Sequence, residues 1–161
     1  MLKEVKLDAN RIHFTGIVSY SNLMKLFQVS AAHIYLSYPF VLSWSAMESM
    51  ACGAALVSSR TPPVEEVMFD GENALLADFY SPEEVAEKVI RILESKDRMK
   101  DMRMAARDAI VSRYNLKDLL PLHMQLVRDV AEGNGPPKAH RTIMDRHNQL
   151  GSVKDWSWLK R

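Results

Sequence analysis

A strand, a polar loop, a helix and a closing glycine follow one another in the middle of this chain. The strand-like run is residues 33–37, and a helix starts near Trp44 in the segment that follows it. Gly53 stands after this helix, and the apolar run 54–57 comes directly behind the glycine. This order is typical of the crossover unit of a parallel α/β sheet, in which the loop and the helix start form an anion-binding corner. The sequence therefore predicts an α/β fold with a ligand site at this corner.

The rest of the chain alternates between short apolar runs and amphipathic segments. Strands are predicted at residues 11–15, 33–37, 54–58 and 74–77. Helices are predicted at residues 22–32, 44–52, 64–68, 82–95 and 98–113, and from Asn115 to about residue 132. The predicted N-caps are Ser21, Ser45, Ser81, Asp97 and Asn115. This alternation predicts a Rossmann-like parallel sheet flanked by helices, formed by residues 1–132 and followed by a Pro/Gly break and a basic tail at 133–161.

Composition excludes several classes of protein. The 161 residues suffice for one domain, and a net charge of +1 gives no whole-chain signature of nucleic-acid binding. No apolar run reaches the length of a membrane span. The single cysteine, Cys52, excludes an internal disulfide and favours a reducing compartment, and the five scattered histidines give no zinc-binding spacing. The sequence therefore predicts a cytoplasmic protein without a metal site.

The helix start at Trp44 has the chemistry of an anion site. The first backbone N–H groups of a helix have no partner within the helix and lie at the positive end of its dipole. Glu48 follows in the first turns, and its carboxylate is suited to bind two vicinal hydroxyl groups, such as those of a ribose. Ser45 and Glu48 also have the spacing of a capping box, which by itself explains the glutamate. Both roles stay open, and they are compatible.

Other side chains near the predicted strands admit structural interpretations. His33 is predicted to pack within its strand, and Cys52 is predicted to be buried for structural reasons. Arg60 follows a strand end, where it is either a solvated loop residue or a phosphate ligand. Phe40 and Trp44 either line a sugar or nucleobase pocket or pack in the core.

Five motifs occur in a fixed order along the chain. They are RIHFTG at 11–16, HIYLS at 33–37, ESMACG at 48–53, PVEEV at 63–67 and DGEN at 70–73. Together they resemble the C-terminal half of a GT-B retaining glycosyltransferase of family 4 (glycosyl transferases group 1). The match in order and spacing extends over about residues 10–130, and ESMACG is its most specific part. The resemblance implies a Rossmann-like domain that lacks the first strands of the full C-terminal half.

The resemblance also implies a donor site for a nucleotide-sugar. The implied donor-binding residues are Glu48 for the ribose, the backbone N–H groups of Ser43, Trp44 and Ser45 for the diphosphate, and Gly16 and Val18 near the nucleobase. The full enzyme would transfer a hexose from a UDP- or GDP-sugar to a carbohydrate or lipid-linked acceptor, as in polysaccharide biosynthesis, without a metal or cofactor. The family's catalytic histidine and acceptor site belong to a preceding N-terminal domain, so this chain would be an inactive fragment without catalytic residues.

The loop before the helix departs from the family pattern. Phe40 stands where the family has the first glutamate of its E-x7-E segment, which touches the donor sugar. Val41 and Ser43 replace two loop glycines, and a side chain at these positions restricts how closely a backbone approaches a ligand. One interpretation is a branch with its own loop, in which serine hydroxyls take part in binding. The alternative is a non-catalytic α/β binding or interaction module with a degraded donor site.

The missing strands and the tail raise the question of partners. Exposed sheet edges predict coverage by rearrangement or by a second copy in a homodimer. The tail carries six Lys/Arg against two Asp, together with Trp156 and Trp158. It is interpreted as a flexible terminus, as a strap onto the missing N-terminal domain, or as a peripheral contact with the inner face of a membrane.

Overall fold

Three short parallel strands form the sheet. The computed structural model describes residues 8–38, 40–95 and 99–134. Strand β1 is His33–Tyr35, β2 is Leu56–Ser59 and β3 is Leu75–Ala77, and β2 lies between the other two. Every residue of β2 and β3 is buried, as expected for parallel strands covered by helices. The predicted fold class, a Rossmann-like parallel sheet flanked by helices, is confirmed.

Helices alternate with these strands and then continue alone. The α-helices of the described residues are α1 (Tyr20–Val29), α2 (Trp44–Ala51), α3 (Pro62–Glu65), α4 (Pro82–Glu94), α5 (Met99–Arg113) and α6 (Leu116–Ala131). A 3₁₀ turn at Ala9–Arg11 precedes them. Gly53 adopts a φ of 71° after α2, so the predicted left-handed residue at this helix end is confirmed.

Side-chain caps explain where several helices begin. The Ser81 hydroxyl accepts a hydrogen bond from the Glu84 N–H at 3.2 Å, and Asn115 accepts one from the Lys117 N–H at 3.0 Å. These two predicted caps are confirmed. Ser19, not Ser21, caps α1, because its side chain accepts from the N–H of Asn22. The predicted cap Asp97 lies outside the described residues.

The core lies between the sheet and the helices that follow it. Helix α4 packs on β2 and β3. The buried cluster consists of Ala55, Val57, Leu75, Ile92, Met99 and Met102, with Ala32, Val85 and Val89 packed against it. Methionine fills core space here because its flexible side chain adapts to irregular gaps.

The chain forms two compact units, Met1–Val111 and Ser112–Arg161. The sheet belongs to the first unit. The described part of the second unit contains α6, which continues past the internal Pro121 and ends before Gly133. The predicted domain boundary between residues 132 and 133 stays a prediction.

Some predicted boundaries are wrong for identifiable reasons. Residues 11–15 form no strand, since they pair with no other strand among the described residues, and Phe14 is exposed. Alternation alone does not make a strand when no neighbour supplies the backbone hydrogen bonds. Strand β1 ends at Tyr35, two residues earlier than predicted, because Ser37 bonds to a side chain instead of to the neighbouring backbone.

Within the described ranges, no helix combines the length and apolarity needed to cross a membrane.

Candidate functional site

The candidate site lies at the carboxyl end of the sheet, where the chain leaves β1 and enters α2. The Ser59 hydroxyl accepts a hydrogen bond from the Ser37 N–H at 2.9 Å and donates one to the Ser37 carbonyl at 2.8 Å. Ser59 is fully buried. Its two hydrogen bonds therefore connect the segment after β1 to the last residue of β2. Ligands of parallel α/β sheets bind at this edge.

The start of α2 is held by Ser43. Its hydroxyl accepts the Ser45 N–H at 3.2 Å and lies 2.8 Å from the Ser45 hydroxyl, and its own N–H donates to the Tyr35 hydroxyl at 2.9 Å. Ser43 is therefore the N-cap, and the predicted capping box of Ser45 with Glu48 is wrong. The physical reason is competition, since Ser43 already occupies the capping position two residues earlier.

This network bears on the three backbone N–H groups that were expected to hold a diphosphate. The N–H groups of Ser43 and Ser45 have acceptors inside the chain. Among the described residues, no backbone or side-chain acceptor is found for the N–H of Trp44. This N–H points from the first turn of the helix, at the positive end of its dipole.

Glu48 lies half-buried on α2 and faces the beginning of α1. The Glu48 carboxylate lies near the Tyr20 hydroxyl and raises the pKa of Tyr20, first through side-chain hydrogen bonding and further through its negative charge. The sulfur atoms of Cys52 and Met24 also approach to 3.6 Å between the same two helices. The structure therefore joins Glu48 to the N-terminus of α1. Tyr20 was missed at the sequence level, because no local pattern predicts a contact between two helices.

The segment that was expected to lie near a nucleobase leads into α1. Gly16 adopts a φ of 59° in this segment, and Val18 is half-buried. Only Ser19 separates Val18 from Tyr20, the residue that contacts Glu48. The chain therefore brings Gly16 and Val18 to the same end of α1 as Glu48.

Phe40 and Trp44 are not core residues. Their side chains are 83% and 78% exposed, so the packing interpretation is wrong for both. Exposed aromatic rings of this size at a sheet edge are available to a ligand or a partner.

Arg60 is engaged in ion pairs. Its guanidinium contacts Asp70 at 2.7 Å and Glu65 at 3.5 Å. Partial burial opposes ionisation of Asp70, but the Leu76 N–H and the Arg60 guanidinium outweigh it and lower the pKa of this carboxyl. Arg60 therefore fixes a turn, and its predicted role as a free phosphate ligand has no support in the geometry.

Two further predictions concern packing. His33 meets Phe27 edge to face with ring centroids 4.9 Å apart, and burial lowers the pKa of its imidazole. Burial likewise raises the pKa of the Cys52 thiol. Packing of His33 is confirmed, and Cys52 has the properties of a structural cysteine.

Three aromatic side chains meet at the carboxyl edge, and no sequence pattern indicated this contact. Tyr38 follows β1, whereas Phe79 and Tyr80 follow β3. The ring centroid of Tyr38 lies 5.8 Å from that of Phe79 and 6.4 Å from that of Tyr80, and the rings of Phe79 and Tyr80 are 5.0 Å apart. We call these three residues the aromatic platform.

Within the described residues, no group of three His, Cys, Asp or Glu side chains is placed to hold a metal ion.

Comparisons with known proteins found a matching family model and several similar proteins. The family model described as "Glycosyl transferases group 1" matches residues 3–109. An uncharacterized glycosyltransferase of Methanocaldococcus jannaschii, MJ1069, is 33% identical over 109 residues, which are 67% of this chain and 28% of that protein. The N-acetyl-alpha-D-glucosaminyl L-malate synthase of Bacillus anthracis is 22% identical over 130 residues, which are 81% of this chain and 33% of that protein.

A solved structure has a similar fold. Sucrose-phosphate synthase from Thermosynechococcus elongatus aligns with a TM-score of 0.74 at 20% identity, over 78% of this chain and 32% of that chain. The chain thus spans 28% to 33% of the length of these curated relatives.

Proposed function

The chain belongs to the glycosyl transferases group 1 family, and we propose that it supplies the donor-nucleotide half of such an enzyme. In this proposal it is the C-terminal half of a GT-B retaining glycosyltransferase of family 4. The full enzyme acts in the cytoplasm and transfers a hexose from a UDP- or GDP-sugar, without a metal, to a carbohydrate acceptor or to a lipid-linked one at the membrane surface. An N-terminal domain supplies the acceptor site and the catalytic groups.

The position of Glu48 is the observation that carries this proposal. Its carboxylate lies on α2 near the Tyr20 hydroxyl at the beginning of α1, and this proximity raises the pKa of Tyr20. A carboxylate accepts hydrogen bonds from two vicinal hydroxyl groups. A ribose held in this way places its base toward Gly16 and Val18 and its diphosphate toward the start of α2.

Ser43 and Ser45 are suited to the diphosphate through their hydroxyl groups. Their oxygens are 2.8 Å apart, so one hydroxyl donates to the other. The remaining hydroxyl proton is free to point at a phosphate oxygen, together with the N–H of Trp44. These donors replace the close backbone approach that loop glycines permit, and Phe40 lies beside them in the sequence as an exposed ring for the sugar end of the donor.

A second candidate function is a non-catalytic interaction module. It is favoured by the internal acceptors that already bind the N–H groups of Ser43 and Ser45. In that case the exposed Phe40 and Trp44 contact another protein, and the site binds no nucleotide.

Thermal unfolding with UDP, GDP and ADP separates the two functions. A nucleotide that binds the folded state at ten times its Kd stabilises it by about 1.4 kcal/mol. For a chain of this length we expect UDP or GDP to raise Tm by about 3–6 °C, and ADP to leave Tm unchanged. If none of the three shifts Tm at millimolar concentration, the donor-site proposal fails.

Glu48→Gln is the informative variant, because Glu48 is not part of a cap. The substitution keeps the size of the side chain and removes its charge, so we expect an unchanged Tm without nucleotide and a lost nucleotide-induced shift. Glu87→Gln is the matched control, since Glu87 is an exposed carboxylate on α4. Equal nucleotide shifts in both variants would contradict the ribose role.

A further inference from the structure

The aromatic platform joins two strands that are not neighbours in the sheet. Strand β2 lies between β1 and β3, yet Tyr38 after β1 touches both Phe79 and Tyr80 after β3. The three rings therefore span the carboxyl end of β2. The donor site is proposed at this same edge of the sheet. The two sites differ in position, because the donor site is formed by the start of α2, which follows β1, whereas the platform reaches across β2 to the residues after β3.

The tyrosine side chains of the platform are exposed to solvent, whereas the backbone next to them is held by hydrogen bonds. Tyr38 is 61% exposed and Tyr80 is 72% exposed, so both present large ring surfaces. The backbone before Tyr38 is tied to Ser59, as described above. The Tyr80 N–H donates to an Asp78 carboxylate oxygen at 2.7 Å, and the Asp78 N–H donates to Glu84 at 2.8 Å in the first turn of α4. The backbone that carries Tyr38 and Tyr80 is consequently held by hydrogen bonds to Ser59, Asp78 and Glu84.

Polar groups border the exposed rings. The side chain of Tyr38 lies close to that of Tyr80, and side-chain hydrogen bonding to Tyr38, with the charge of Asp78 as a smaller cause, raises the pKa of Tyr80. The exposed Asp78 carboxylate accepts from the Tyr80 N–H through one oxygen, and its other oxygen has acceptor capacity left. Apolar ring faces with hydroxyl and carboxylate groups at their border match a ligand with an apolar face and a hydroxyl-bearing rim.

We propose that the aromatic platform of Tyr38, Phe79 and Tyr80 binds a pyranose ring, with Asp78 accepting hydrogen bonds from its hydroxyl groups. A pyranose combines a face of C–H groups with equatorial hydroxyls, which suits both parts of this surface. The proposal rests on the proposed function for the class of ligand, since a glycosyltransferase handles sugars in both its donor and its acceptor. The bound pyranose belongs either to the donor or to the acceptor, and the experiment below distinguishes the two.

The test uses the 161-residue chain with its tyrosine and phenylalanine rings isotopically labelled. Methyl glucopyranoside, methyl N-acetylglucosaminide, UDP-glucose and UDP are titrated separately, and ring resonances are followed by NMR, with glycerol as a hydroxyl-bearing probe that has no ring face. We expect saturable shifts of Tyr38, Phe79 and Tyr80 with a pyranose. Shifts with the methyl glycosides identify an acceptor-type ring, and shifts with UDP-glucose but not with UDP identify the donor ring. Absence of such shifts with every sugar overturns the proposal.

Variants separate stacking from the other contacts. Tyr80→Ser is expected to weaken pyranose binding about fivefold, because one stacked ring is lost. Tyr80→Phe keeps the ring and should change the affinity less than twofold. Ile90→Ala, an exposed position on α4, is the matched control. Unchanged sugar affinity in Tyr80→Ser overturns the proposal, as does a loss of self-association in place of a loss of sugar binding.

The nucleotide experiment fails independently of this one. UDP or GDP stabilisation that depends on Glu48 tests the donor site, whereas the ring resonances test the platform. Nucleotide binding without a pyranose effect removes only the platform proposal. A pyranose effect without nucleotide binding removes only the donor site.

Discussion

At the scale of single residues, Ser59 and Ser58 are neighbours on β2 with opposite hydrogen-bonding situations. Both are fully buried. The Ser59 hydroxyl makes two hydrogen bonds to the backbone of Ser37, whereas the Ser58 hydroxyl finds no partner among the described residues. A buried polar group without a partner costs free energy, and a satisfied one that holds two backbone groups stabilises the fold.

We therefore expect opposite effects from the same substitution at these two positions. Ser59→Ala leaves the Ser37 N–H and carbonyl without this partner and should lower the free energy of unfolding by about 1–3 kcal/mol. Ser58→Ala removes an unsatisfied hydroxyl and should be neutral or stabilising. Urea unfolding of both variants measures the difference. A larger loss for Ser58→Ala than for Ser59→Ala would contradict this account of the β1–β2 connection.

At the scale of elements, helix α2 shows how a cap and a ligand site overlap. Ser43 both starts the helix and presents a hydroxyl to the candidate diphosphate position. Ser81 starts α4 by the same type of bond, but it lies next to the loop after β3 and outside the proposed donor site. A comparison of these two serines therefore distinguishes the contribution of a cap to stability from its contribution to nucleotide binding.

Substitution of each cap by alanine tests this overlap. Ser43→Ala and Ser81→Ala should each lower the free energy of unfolding by about 1 kcal/mol, because each removes the side-chain acceptor of a helix N-terminus. Only Ser43→Ala should also weaken UDP or GDP binding, measured by calorimetry. Equal nucleotide affinity in the two variants would mean that the Ser43 hydroxyl does not contact the diphosphate.

The elements that the sequence predicted well are those specified by local chemistry. Ser81 with Pro82 and Asn115 mark helix starts that need no distant partner, and Gly53 marks a helix end that requires a positive φ. Residues 11–15 have a strand pattern, but a strand also needs a neighbour, which a pattern does not supply.

The candidate site was only partly predictable for the same reason. The position of Glu48 next to a helix start followed from the sequence, although the capping box assigned to it was wrong. Its contact with Tyr20 crosses two helices, and the contact of Tyr38 with Tyr80 crosses the sheet. Such contacts depend on how elements pack, and no spacing within one element encodes them.

At the scale of the whole molecule, the sheet leaves strand edges without partners. In the part of the chain that the structure describes, β1 pairs only with β2, and β3 only with β2. Ile34 on β1 is 48% exposed. An exposed edge strand with an apolar side chain favours pairing with another chain.

We expect the 161-residue chain to self-associate through β1, with a sedimentation coefficient that rises with protein concentration. Ile34→Lys should reduce this association, because a charged side chain on an edge strand opposes pairing. Ile90→Lys changes an equally exposed isoleucine on α4 and should leave it unchanged. A clean monomer for the unmodified chain at all concentrations would contradict the prediction of a second copy.

The loop between β1 and α2 is anchored at both ends by side chains that lie outside it. Ser59 holds its beginning at Ser37, and the Tyr35 hydroxyl holds its end at Ser43. The side chains of Phe40 and Val41, which lie between these anchors, are exposed and take no part in either set of bonds. Glu48, by contrast, lies on α2, beyond the second anchor. In the proposed donor site, substitutions at Phe40 and Val41 would therefore change the sugar preference, while Glu48 and the start of α2 would keep the nucleotide contacts.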